Sequence, residues 1–381
     1  MPLNRRDFLS SALLLPALVP QTSSARFIAT VPLVSPGGAA PPFGRLLGDG
    51  LDARLFTDLS QLQVRNPQST IRTEEFFVRT AVPRTLPPTD SWRVRVAGLV
   101  EAPIDLSLRD LEPLVASGGR YLMECSGNSD PTNFGLLSTA DWDGVPLAAL
   151  LDRITASSPS YRVLVSGVDD MTSRPRTSIP GASWIFSRDD LQRALLAVRM
   201  NGAPLTSDHG FPVRLIVPGW YGCSCIKWVD RIDLVPDDAP ATTQMQEFAA
   251  RTHQDIVTLR MHEPPLARDW TPASIDTAAM PVRVEKWFAG GRVEYRITGI
   301  IWGGAKATNA LSIRFKSGQP WVPVEDCPLP ASTLTWSVWS HTWRPEAPGR
   351  YQIVLKVNDP SIRTRRLDLF FYVREIEITE I

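Results

Sequence analysis

Apolar and polar residues alternate along much of the chain, the mark of half-buried strands. "WRVRVAGLV" (92 to 100) sets Trp92, Val94 and Val96 on one face and Arg93 and Arg95 on the other. "EEFFVRTAVP" (74 to 83) and "YRVLVSGVDD" (161 to 170) predict two more strands, and "FPVRLIVPGWYGCSCIKWVDRIDLV" (211 to 235) a pair flanking a turn at Pro218-Gly219. Helical signals are fewer. "SLRDLEPLV" predicts a helix capped by Ser107 with Asp110 in its first turn, and "GVPLAALLDRI" one that opens near Pro146. "SRDDLQRALLAVRMNG" (187 to 202) predicts a third, capped helix that stops at Gly202.

Beyond about residue 236 the pattern becomes loop-like through "PDDAPATT" and "HEPPLARDWTP", which places a domain junction over 241 to 275. The remainder reads as strands: "PVRVEKWF", "RVEYRITGIIW", "ALSIRFKSG", "LTWSVWSHTW", "GRYQIVLKVND" and "RLDLFFYVREIEI". Short spacing, Gly/Pro turns and buried tryptophans predict an immunoglobulin-like β-sandwich over 276 to 381. The fold class expected is α+β, with a mixed helix and strand domain over 71 to 240 preceding that sandwich. Residues 26 to 70 are rich in Pro, Gly and Leu and read as an extended arm. No repeat or low-complexity block interrupts the chain.

The opening "MPLNRRDFLSSALLLPALVPQTSSARF" sets Arg5-Arg6 before a proline-broken apolar run, and residues 1 to 25 fit a twin-arginine export signal. That run is too short and too broken for a membrane span. Export of this kind predicts a periplasmic protein that acquires a cofactor before leaving the cytoplasm. Forty basic and forty acidic residues cancel, so no global charge recruits nucleic acid or an anionic membrane, and electrostatic function must be local.

Three segments carry candidate chemistry. "YLMECSGNSDP" places Cys125 in a polar, glycine-containing turn just after a strand-like run, an unusual setting for a packing cysteine. "DHGFPVRLIVPG" followed by "CIKW" brings His209, Arg214 and Lys227 close together beside Gly-rich turns, a combination suited to a phosphate-bearing ligand or to capping and salt bridging. Arg79 ends the apolar run of "TEEFFVRTAVP". Cys223 and Cys225 form a Cys-x-Cys pair whose Cα atoms on a strand would lie about 7 Å apart, at the edge of disulfide reach. Packing or backbone service and redox or metal chemistry both remain open for that pair, whereas Cys327 reads as inert.

Taken in order and spacing, these segments resemble the sulfite oxidase family of molybdenum-cofactor enzymes over roughly residues 70 to 375. The resemblance implies an oxidoreductase in which the Cys125 thiolate coordinates molybdenum. It further implies that His209, Arg214 and the Cys225, Ile226 and Lys227 segment grip the pterin's phosphate-bearing tail. Backbone at Phe77, Val78 and Arg79, and a carboxylate at Asp169 or Asp170, would hold the rest of the pterin. Arg79 matches a family substrate arginine, and "GIIWGG" and "GQPWVPV" look like the family's dimerisation domain, so a homodimer is expected. A soft thiolate suits a metal already held by dithiolene sulfurs, and nearby amides and cations are expected to keep it deprotonated.

Substrate positions depart from the pattern. Ser129-Asp130 replaces an Arg-Arg pair, Ala81 a histidine and Val198, beside Arg199, a tyrosine; the loop after Cys125 is short, and Lys306 only approximates another arginine. A carboxylate near an oxyanion would repel it by about 1 kcal/mol in water and more in a dry pocket. With no Cys-x-x-Cys-His for a c-type haem, electrons are expected to pass to a separate carrier such as a c-type cytochrome. Oxidation of sulfite or a similar small substrate, reduction of an S- or N-oxide, and a secreted non-enzymatic binding protein are the readings to be separated.

Overall fold

A computed structural model describes residues 25–33, 43–63, 70–130, 134–172, 174–175, 179–249 and 265–381. The segment with Arg5-Arg6 expected to be an export signal and the middle of the expected linker lie outside these. Among the described residues, no helix is long and apolar enough to cross a membrane.

The alternation at 92 to 100 forms the strand Arg93–Gly98, with Val94 and Val96 fully buried and Arg93 and Arg95 exposed. It pairs antiparallel with Ile104–Ser107 and parallel with Val229–Val235. Val229–Val235 continues into Arg162–Gly167 and Ser183–Phe186, completing a five-stranded sheet. Trp92 fixes the strand's start by donating its indole N–H to the Val229 carbonyl at 3.0 Å.

Helices are few and short. Ser107 and Asp110 close a capping box over Leu108–Leu111, but the α-helix ends after one turn. Pro113 lacks an N–H, and the chain tightens into the 3-10 turn Glu112–Leu114. Leu147–Leu151 starts after Pro146 as expected and buries Leu147, Leu150 and Leu151.

The third expected helix does not form. Ser187 and Asp190 cap only the 3-10 turn Asp189–Leu191. The apolar run then extends as the strand Leu195–Met200, flanked by Leu137–Pro146 on one side and by Ala203–Pro204 and Arg214–Ile216 on the other. Leu195, Leu196 and Ala197 are buried. Ladders on both sides outweigh a weak helical preference there. Asn201 and Gly202, at φ 53° and 78°, form a hairpin turn rather than a helix stop. The strand Ala116–Glu124 joins the far side of Leu137–Pro146, so this second five-stranded sheet ends at Cys125.

The strand expected at 74 to 83 shrinks to Val78–Arg79, after the 3-10 turn Thr73–Glu75. Its partner is Arg54–Leu55, from the segment expected to be an extended arm. That segment is built into the fold: Phe56, Leu59 and Leu62 are buried, and Arg26–Val31 adds an edge strand to Ala278–Ala289.

The C-terminal residues form two four-stranded sheets. One runs Arg26–Val31, Ala278–Ala289, Arg292–Trp302, Trp336–Trp343, and the other Val322–Pro323, Leu311–Arg314, Gly349–Val357, Arg374–Ile378. Gly299 lies opposite Trp339, and a Cβ on it would stand 2.1 Å from that ring, so the ring occupies the space the glycine leaves. Of "RLDLFFYVREIEI" only Arg374–Ile378 is strand, and Phe371 and Tyr372 instead pack on Phe134, with ring centroids at 5.8 and 5.2 Å.

A buried ion pair ties these sheets to the strand that ends at Cys125. Arg365 donates to both carboxylate oxygens of Glu124 at 2.7 Å, and Trp302 adds its indole N–H at 2.9 Å. Glu124 is 1% exposed.

Candidate active site

Cys125 follows directly on the last residue of Ala116–Glu124. Its amide donates to the Leu136 carbonyl at 2.9 Å, its carbonyl accepts from Asn128 at 3.0 Å, and the Asn128 side chain accepts from the Leu136 amide at 3.2 Å. The turn is therefore pinned at both ends, and the Gly127 amide lies 3.3 Å from the sulfur. Cys125 is only 7% exposed, more enclosed than a turn cysteine suggests, and lines a cleft of about 860 Å³ counted out to its open mouth. Burial pushes its thiol pKa up, against the opposing pull of Arg79, the Gly127 amide and Arg54. The expectation that nearby amides and cations keep it deprotonated is thus corrected: desolvation is the larger effect.

Of the residues singled out from the sequence for this chemistry, Phe77, Val78, Arg79, Cys125, Asp169, His209, Arg214, Cys225, Ile226 and Lys227 line that cleft, and Asp170 does not. Each is placed by local structure. The 3-10 turn Ser207–His209 ends at Gly210, at φ 102°, where a Cβ would approach the Arg214 Cβ to 3.0 Å and the Lys227 Cβ to 3.2 Å. Only glycine lets those two cations crowd together there.

Arg214, 4% exposed, donates to the His209 carbonyl at 3.0 Å and the Cys225 carbonyl at 3.2 Å, and lies 5.4 Å over the Trp142 ring. Its Nε has no partner, and burial lowers its pKa to about 10. Lys227 donates to the carbonyls of Arg79, at 3.2 Å, Thr80, and Asp208, at 2.9 Å, and burial pulls its pKa well down. It thereby holds Thr80 in a left-handed conformation, φ 71°.

His209 is held differently from a free anion donor. Nδ1 lies 2.6 Å from the Thr206 hydroxyl and Nε2 3.2 Å from the Phe76 carbonyl. A carbonyl can only accept, so Nε2 carries the proton and Nδ1 accepts from Thr206. Burial, with Arg214 and Lys227 adding to it, lowers the His209 pKa to about 4, so the ring is neutral at pH 7 and supports the Phe76-Phe77 backbone.

The two adjacent carboxylates differ in position. Asp169 lines the cleft and accepts from the amides of Gly181, at 2.6 Å, and Ala182, at 3.2 Å, whereas Asp170 caps Thr172. All four cysteines are free. Cys223 and Cys225 form no disulfide; burial raises both thiol pKa values, and the Cys225 sulfur lies 3.4 Å from the Val217 amide.

Other positions fall elsewhere. Lys306 lines a second cleft, with Leu122, Arg193, Asp276, Leu334 and Arg363, and Arg199 pairs with Glu112. Asp130, feared as a repulsive charge, acts on the buried Arg374 guanidinium. Gln244, Glu247 and Phe248 line the cleft from Thr243–Glu247 and just beyond. The sequence reading missed them inside its linker, although the Thr242 N-cap signal is present there.

The residues present suit a metal delivered on an organic carrier. Among the described residues, no three His, Cys, Asp or Glu side chains converge to hold a bare ion. The cleft instead offers the Cys125 sulfur at the end of its strand, with those of Cys223 and Cys225 nearby, a buried guanidinium whose Nε has no partner among the described residues, and a lysine.

Comparison with known proteins bears on the same stretch. A family profile described as an oxidoreductase molybdopterin binding domain matches residues 79–243. Sulfite oxidase of Gallus gallus is 28% identical over 321 residues, covering 76% of this chain and 66% of that protein. The NADPH nitrate reductase of Mycosarcoma maydis is 31% identical over 190 residues, 42% of this chain and 19% of that one. The structure of the sulfane dehydrogenase SoxCD from Paracoccus pantotrophus covers 90% of both chains at a TM-score of 0.63 and 17% identity, a likeness of fold. The chain spans less than two thirds of the length of these curated relatives.

Residues 79–243 thus match an oxidoreductase molybdopterin binding domain, the class of site that takes the molybdenum cofactor. Within that class the chain is similar to the sulfite oxidases, in sequence to that of Gallus gallus and in fold to the sulfane dehydrogenase SoxCD.

Proposed function

We propose that this enzyme oxidises sulfite, or a similarly small sulfur oxyanion, in the periplasm after twin-arginine export, and hands the electrons to an external carrier such as a c-type cytochrome. The balance is sulfite plus water giving sulfate, two protons and two electrons, the electrons leaving one at a time to the carrier. The bound cofactor supplies two-electron oxygen-atom transfer. Cys125 would provide the chain's metal ligand. Arg214 and Lys227 would hold the phosphate-bearing tail, with neutral His209 bracing Phe76-Phe77. The backbone of Phe77 to Arg79 and the Asp169 carboxylate would hold the pterin rings, and the Arg79 guanidinium would meet the substrate anion. The C-terminal sheets would serve as an immunoglobulin-like module joining two copies.

The observation that carries this reading is Cys125 sharing one cleft with Arg79, Arg214 and Lys227. The molybdopterin binding domain match over residues 79–243 speaks against a non-enzymatic binding protein. A second reading, reduction of a neutral S- or N-oxide, is favoured by Glu247, a carboxylate in the cleft whose charge acts on Arg79. Protein matured in a cofactor-producing host should contain stoichiometric molybdenum, lose its visible absorption band on sulfite addition, and reduce cytochrome c with sulfite. Cys125→Ser should abolish all turnover. Failure of sulfite to bleach the band, alongside oxidation of a reduced dye by dimethyl sulfoxide, would replace the first reading with the second.

A further inference from the structure

The segment expected to be an irregular arm brings an arginine to the metal-ligand sulfur that no motif announced. Arg54 is the antiparallel ladder partner of Arg79, so the two Cα atoms stand about 5 Å apart in the smallest sheet of the protein. Arg79 lines the cleft, and its guanidinium donates to the Leu51 carbonyl; Arg54 donates to the Ala53 carbonyl at 2.9 Å. These bonds, together with Lys227 on the Arg79 and Thr80 carbonyls, fix the backbone that carries both cations.

Like charges directly opposite each other in a ladder destabilise it, and these two are also partly withdrawn from water. Burial and the mutual repulsion lower the Arg54 pKa to about 10, while Cys125 and Asp52 act in the opposite sense. Both arginines in turn pull the Cys125 thiol toward ionisation. Asp52 and Glu247 are the acidic side chains acting on Arg79. The ladder thus sets a second positive charge directly beside the arginine that shares a cleft with Cys125.

We propose that Arg54 and Arg79 form a paired oxyanion-recognition element beside Cys125, which selects a doubly charged sulfur oxyanion over a neutral S- or N-oxide. The inference rests on, and sharpens, the functional reading above. Arg79 is the member at the cleft surface; Arg54 acts through it, as a positioning residue and as a source of field. The pair thereby takes the electrostatic role of the arginines that the Cys125 loop lacks.

The test uses cofactor-loaded wild type, Arg54→Gln and Arg54→Lys, with sulfate as an inert oxyanion probe. Sulfate affinity is read by calorimetry, and sulfite and dimethyl sulfoxide KM values by dye-linked assay at two ionic strengths. Loss of one charge-assisted contact should weaken sulfate and raise the sulfite KM by about 10-fold or more in Arg54→Gln, with a shallower salt dependence. Arg54→Lys should recover most of the loss, and the KM for the neutral probe should stay within about two-fold, because a neutral ligand does not feel the removed charge. Unchanged sulfate binding in Arg54→Gln, equal losses in both variants, or an equal rise in KM for the neutral probe overturns the proposal. If wild type binds sulfate in an Arg54-dependent manner yet leaves sulfite unoxidised, the pair stands and the sulfite reading falls. If sulfite is oxidised and sulfate binding ignores Arg54, the reverse holds.

Discussion

Removing the guanidinium of Arg365 should unfold the protein far more easily than removing any surface charge. Arg365 and Glu124 are 8% and 1% exposed at their side chains, bonded through two contacts of 2.7 Å. In Arg365→Met the carboxylate stays buried and keeps the Trp302 N–H, at 2.9 Å, while losing both guanidinium contacts. Breaking one side of such a pair costs about 3–5 kcal/mol. Glu124→Gln should cost less, because the amide oxygen can keep one of the two N–H donors, and Arg365 keeps the Tyr372 hydroxyl at 2.9 Å and lies 5.2 Å from the Tyr221 ring centroid. The double variant leaves no unpaired charge and should recover about 2 kcal/mol relative to the sum of the singles. Urea unfolding of the cofactor-free forms, followed by tryptophan fluorescence, measures this cycle. Because Glu124 adjoins Cys125, molybdenum content after maturation should fall in the order double variant, Glu124→Gln, Arg365→Met. Additive single effects, or a loss below about 1 kcal/mol in Arg365→Met, would refute the argument that this pair holds the C-terminal sheets to the catalytic strand.

Three further outcomes are expected. His209 has its pKa lowered from 6.5 to about 4, so the unfolded state binds the extra proton between those values and stability falls as pH drops through that window, by about 3 kcal/mol from this residue; wild type minus His209→Gln stability at pH 7 and pH 4 measures it, and parallel profiles would contradict it. Gly210→Ala should cost about 1–3 kcal/mol and lower pterin occupancy, because the new methyl meets Arg214 and Lys227 at a left-handed position; pterin fluorescence after release reads the occupancy. Gly202→Ala, where nothing lies within 4 Å, should cost only the backbone term of about 1 kcal/mol in denaturant titration and leave occupancy intact.

Much of the cofactor side of the site was legible in the sequence, because it is written in local chemistry. A turn sequence after an apolar run, as at Cys125, or a glycine between cations, as at Gly210, carries its own geometry. The strand at 195 to 200 was misread because a four-residue apolar run has no period of its own, and only neighbours on both sides decide between helix and strand. Gln244 and Glu247 were lost in a stretch whose proline content concealed a single capped turn.

By itself the sequence determined which side chains could ligate a soft metal and grip a phosphate, the alternation that makes the molecule mostly strands, and the order of the motifs. Each follows from neighbours in the chain. Only the tertiary structure decided that Arg54 faces Arg79, that Arg365 meets Glu124, that Asp130 acts on Arg374, and that Arg26–Val31 closes the far sheet. These contacts join residues tens to hundreds of positions apart, and strand pairing and charge burial, which have no sequence-local signature, choose among them.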